Sequence, residues 1–97
     1  MGNIIERTRP FSFETVTVAD TAISLTAGTY TTAIRAVISV ETATLRYRVD
    51  GTAPTASVGH IANDGDVIIL ESSIAISNFQ AIRTTGTSAS ISATYER

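Results

Sequence analysis

Apolar and polar residues alternate with a period of two along most of this chain, the period of a strand with one face turned inward. In residues 11–18, Phe11 and Phe13 alternate with Ser12 and Glu14, and the run continues through Val16-Thr17-Val18 before Asp20 ends it. A short strand is expected over residues 22–25, followed by a turn at Ala27-Gly28-Thr29. The strongest alternation spans residues 33–40, where Ile34, Ala36, Ile38 and Val40 share one face and Arg35, Val37 and Ser39 the other. Leu45, Tyr47 and Val49 then oppose Arg46 and Arg48, and Asp50-Gly51 is a strong stop signal.

Beyond a loop containing Pro54, residues 58–61 read as a short strand ended by Asn63-Asp64-Gly65, and residues 67–70 form a continuous apolar strand. Residues 71–78 are ambiguous: Ile74 and Ile76 alternate, while the serines before them are able to cap a helical turn. An irregular loop is expected there. Residues 79–83 and 89–95 complete the set, with Thr85-Gly86-Thr87 as a hairpin between them. About eight short strands with a turn signal every 8 to 12 residues predict an all-β fold, an antiparallel β-sandwich or jelly roll. Residues 11–97 are assigned to that single domain. Residues 1–10, which hold the apolar pair Ile4 and Ile5 among charged neighbours and close on Pro10, are read as an extended N-terminal arm able to insert those isoleucines against a neighbouring subunit.

Composition sharpens this picture. Thr, Ile and Val fill 35 of the 97 positions, and such β-branched side chains suit a pleated, half-buried surface. Only 16% of residues are charged, so hydroxyls must cover much of the exterior. The cations are seven arginines with no lysine, and the formal net charge is −2. Lysine on exposed edges and a larger net charge are the usual guards against strand-to-strand association, and their absence points to a homo-oligomer. The chain has no cysteine, which removes disulfides and thiolate chemistry. No stretch approaches a membrane span and the N-terminus lacks an apolar leader, so synthesis in a cytoplasm and no membrane partner are expected.

Candidate chemistry is sparse. His60 is the single histidine, and Asn63-Asp64-Gly65-Asp66 reads as a turn whose short side chains bond their own backbone; it does not fit an EF-hand, although calcium stays open. No nucleophile elbow, zinc-protease motif or phosphate-cradling loop is present, so no enzymatic activity and no cofactor are expected. Arg46 and Arg48 share a strand face, where Arg35 or Arg83 is able to join them. With no lysine and a net negative charge the footprint of a nucleic-acid binder is missing, and a solvated or ion-paired face is favoured. A carbohydrate-binding module used for adhesion is the alternative function, with Tyr30 and Tyr47 as the aromatic residues to test, although the chain has no Trp and its aromatics sit mostly in core patterns.

The run Leu45-Arg46-Tyr47-Arg48-Val49-Asp50-Gly51-Thr52-Ala53-Pro54-Thr55-Ala56-Ser57-Val58-Gly59-His60, followed by Asn63-Asp64-Gly65-Asp66 and by Asn78-Phe79-Gln80-Ala81-Ile82-Arg83, resembles a family of small virion structural proteins of tailed phages. The resemblance covers residues 33–95, and residues 1–32 match it poorly. It implies a β-sandwich placed on a phage virion as a capsid decoration, neck or tail component. Its partners would be copies of itself and other virion proteins such as a major capsid or tail protein. Contact is expected at Ile4, Ile5, Arg46, Arg48, Asp50, Pro54, Thr55 and His60, because Pro54 stiffens the 50–60 loop and lowers its entropy loss on docking.

Overall fold

The computed structural model describes residues 8–97; Ile4 and Ile5 lie outside the described residues. Eight strands form in chain order: β1 (Pro10–Val18), β2 (Ile23–Ser24), β3 (Arg35–Glu41), β4 (Leu45–Arg48), β5 (His60–Ala62), β6 (Val67–Leu70), β7 (Gln80–Arg83) and β8 (Ala89–Glu96). They build two four-stranded antiparallel sheets, one ordered β1-β8-β3-β6 and the other β2-β7-β4-β5. The ladders nest. β1 pairs with β8, β2 with β7, β3 with β6 and β4 with β5, while β8 with β3 and β7 with β4 close each sheet. This is one long antiparallel ribbon rolled around a core, the jelly-roll form of a sandwich. At its open end the N–H of Arg9 donates to the carbonyl of Arg97 and the N–H of Arg97 to that of Arg9. Pro10 already belongs to β1, so the ladder takes in residues that the sequence assigned to the arm. The tip of the ribbon is the loop between β4 and β5.

The inner faces follow the alternation. Ala36, Ile38 and Val40 of β3 and Ala89, Ile91, Ala93 and Tyr95 of β8 are buried, and they meet Leu45, Ala62 and Ala81 of the other sheet. Strand β1 departs from the expected row. Val16 and Val18 face inward, which places Ser12 and Glu14 on the core side and leaves Phe13 59% exposed. The inward carboxylate is matched: the Tyr95 hydroxyl donates to Glu14 Oε2 at 2.6 Å, and the Thr26 N–H donates to the same oxygen at 3.0 Å. Burial together with this contact pushes the Tyr95 phenol well above its ordinary value. Ile34 precedes the first residue of β3 and is exposed, so it does not share the buried face of Ala36.

Three connections differ from expectation. Residues 73–78 form a helix, α2 (Ser73–Asn78), capped by Ser72, whose hydroxyl accepts from the Ala75 N–H; it drives Ile76 into the core. The cap outweighs the strand-like spacing because one buried isoleucine suffices to anchor so short an element. The 27–29 turn is a single helical turn, α1 (Ala27–Tyr30). The segment around Thr85-Gly86-Thr87 is no hairpin, because β7 and β8 lie in different sheets and the chain crosses between them. Among the described residues no helix is long and apolar enough to cross a membrane.

Candidate functional site

At the tip of the ribbon the 49–59 loop folds back on β4. Arg46 holds it there: Nε donates to the Ala56 carbonyl at 3.1 Å and Nη1 to the Gly59 carbonyl at 2.8 Å. Thr55 nucleates a tight turn inside the loop, its hydroxyl accepting from the N–H groups of Ser57 and Val58 while its own N–H donates to the Val58 carbonyl. Pro54 is buried beneath this turn. Gly59 closes it at φ 139°, where a β-carbon would lie 3.1 Å from the Tyr47 carbonyl oxygen and 3.2 Å from Pro54 Cβ. Only glycine accepts both that conformation and that proximity.

The fold-back leaves an open cleft of about 330 Å³ lined by Arg48, Val49, Asp50, Val58, Gly59 and His60. Arg48 and Asp50 form a two-pronged pair within it, Nε donating to Oδ1 at 3.0 Å and Nη2 to Oδ2. Those hydrogen bonds from Arg48 lower the Asp50 carboxyl from its ordinary value near 3.8 to about 2. The exposed His60 ring lies 5.3 Å from the Tyr47 ring, which stacks in turn on buried Phe79 at 5.7 Å. Cross-strand pairing explains this file of rings, since His60 is the direct partner of Tyr47 in the β4–β5 ladder.

Of the residues singled out from sequence, Arg48, Asp50 and His60 line the cleft directly, and Arg46, Pro54 and Thr55 shape its loop. Neither Arg35 nor Arg83 joins Arg46 and Arg48 in a row. Arg83 stands opposite Leu45, on the other face of its sheet from Arg46, and donates to Ser88; Arg35 belongs to the other sheet and pairs with Glu96 at 3.0 Å. The ion partners of Arg48 and Arg35 are thus Asp50 and Glu96. Tyr47 is flanked by His60 and Phe79, and Tyr30 packs edge-on against Tyr95, which leaves neither as a free stacking platform. In the 63–66 turn the side chains serve the backbone: Asp64 accepts from the Thr42 N–H and Asp66 from the Asn63 N–H. Among the described residues no three His, Asp or Glu side chains gather as a metal-holding group.

Sequence reasoning missed a second surface, the outer face of the β1-β8-β3-β6 sheet. Register aligns Phe13, Thr94, Val37 and Ile69 in one row across all four strands, and Thr15, Ser92, Ser39 and Val67 in the next. Phe13 and Val67 are each 59% exposed and Ile69 is 49% exposed. Neither row holds a charge; charges flank them, with the Arg35–Glu96 pair and Glu41 at the ends and exposed Glu71 just past β6. The signal was present in the change of apolar parity between Phe13 and Val16, and in the unbroken Val67-Ile68-Ile69-Leu70 run, only half of which one core is able to cover.

No family model, curated protein or solved structure matches this chain.

Proposed function

We propose that this protein is a non-enzymatic structural subunit of a tailed-phage virion, a capsid decoration, neck or tail component that works by assembling with copies of itself and with other virion proteins. The single observation that carries the assembly reading is the uncharged outer face of the β1-β8-β3-β6 sheet, where Phe13, Val37, Val67 and Ile69 lie among threonine and serine. Such a surface is inexpensive to desolvate, because it holds no ion and its hydroxyls rotate to find new partners. It is continuous with β6, an edge strand that carries neither lysine nor proline to block pairing with another chain. The virion reading rests on the sequence resemblance. Fold-level analogy agrees with it, since jelly rolls build viral capsid domains as well as lectins.

Sedimentation over a wide concentration range tests the assembly. The protein is expected to sediment above its 10.2 kDa monomer mass, and the double variant F13K/I69K as a folded monomer. A wild-type protein that stays monomeric at the highest concentrations overturns the reading. Mass spectrometry of gradient-purified particles tests the virion assignment, which requires the chain in fixed proportion to the major capsid or tail protein.

A further inference from the structure

The geometry points to the cleft at the ribbon tip as a binding site for a neutral polyhydroxyl ligand, one sugar ring of a glycan, hydrogen-bonded by Arg48 and Asp50 and packed against Val58 and His60.

Three observations carry this. First, the cleft is preformed. Its loop is pinned by two Arg46 hydrogen bonds, by the Thr55 turn and by buried Pro54, so little conformational freedom is lost when a ligand enters. At about 330 Å³ it stands at the small end of the roughly 300–1,000 Å³ range of ligand pockets, the scale of a ring and not of a polymer.

Second, the polar wall is electrically balanced. Arg48 spends its Nε hydrogen and one Nη2 hydrogen on Asp50, whose Oδ1 also accepts from the Thr52 N–H, so the second Nη2 hydrogen is left as a donor beside the remaining lone pair of Oδ2. A hydroxyl is both donor and acceptor, so neighbouring hydroxyls on a ring satisfy the two groups together. An anion fits poorly, since the guanidinium fork is already filled and an arriving phosphate would face the Asp50 charge at close range.

Third, the remaining lining is apolar or flat. Val58 is 52% exposed, and exposed His60 lines the cleft with it. These surfaces suit the C–H face of a sugar. The site lies on the β2-β7-β4-β5 sheet, away from the uncharged face of the other sheet, and is independent of the assembly reading.

Amide NMR titration of the full chain tests it, with the methyl glycosides of glucose, galactose, mannose, rhamnose and N-acetylglucosamine as probes and sodium phosphate as the comparator. The expected result is a saturable shift of the amides of residues 48–60 with at least one glycoside, and none with phosphate at equal ionic strength. Asp50→Asn, an isosteric change at an exposed position, is expected to weaken that binding about tenfold or more with amide dispersion intact. F13K/I69K is expected to leave it unchanged, which separates this site from the assembly surface. Absence of any saturable shift from all five glycosides, stronger shifts with phosphate, or undiminished binding by the Asp50→Asn variant would each overturn the proposal.

Discussion

Two backbone positions show what single residues contribute to this roll. Thr42, in the crossing from β3 to β4, sits at φ 82°, a conformation that a β-branched residue adopts only under strain of about 1–3 kcal/mol. Its N–H is held by Asp64 Oδ1, and its side chain is exposed. Thr42→Gly keeps that hydrogen bond and relieves the strain, against about 0.5–1 kcal/mol of extra unfolded-state freedom. A net gain of up to about 2.5 kcal/mol is expected in denaturant unfolding, and a loss would refute the strain. Gly59 and Gly65 make a matched pair. Both have positive φ, yet a β-carbon on Gly65 meets nothing within 4 Å, whereas on Gly59 it presses on the Tyr47 carbonyl, Arg46 and Pro54. Gly65→Ala should therefore cost only the backbone term, about 1 kcal/mol. Gly59→Ala should cost clearly more and should shift the amides that line the cleft. Equal costs would show that the loop yields freely.

At the level of elements, what the sequence made legible was what repeats. Val16-Thr17-Val18, Ala36 to Val40 and Ala89 to Tyr95 alternate cleanly, and the structure buries one row of each. Element type failed where one local bond decides it, as when the Ser72 cap turns a strand-like Ile74/Ile76 spacing into a helix. Partnering was the harder problem. Nothing local to Thr85-Gly86-Thr87 says that β7 and β8 belong to different sheets, because the ladders that separate them join residues as distant as Val16 and Ile91. The β4–β5 loop was legible as a place of interest through Pro54 and the Arg46/Arg48 spacing, but the engagement of Arg46 with Ala56 and Gly59 depends on the chain folding back. This element has its own pH signature. Asp50 is held low, at about 2, so its pairing with Arg48 contributes above the ordinary carboxylate value near 3.8 and is lost as pH falls from there through about 2. Amides around the cleft should shift in that window in the wild type and stay flat in Asp50→Asn; a titration centred near 3.8 would dissociate the pair from the geometry described.

For the whole molecule, the distribution of charge decides how copies would meet. Seven arginines and nine acids give a net charge of −2, and among the described residues Arg48 pairs with Asp50 and Arg35 with Glu96. Long-range repulsion between copies is therefore weak, and attraction cannot come from opposed charged patches on a face whose two central rows hold no ion. What remains is burial of Phe13, Val37, Val67 and Ile69, at about 25 cal/mol per Å² of apolar surface removed from water. Salt discriminates the two driving forces. An interface built on charge weakens steeply as added ions shorten the Debye length from about 30 Å to about 3 Å between 0.01 and 1 M, whereas apolar burial is left unchanged by sodium chloride and strengthened by sulfate. Sedimentation equilibrium across that range should give an association constant that is flat in chloride and higher in sulfate. A constant that falls steeply with chloride would move the interface off the β1-β8-β3-β6 face and onto a surface that carries unneutralised charge.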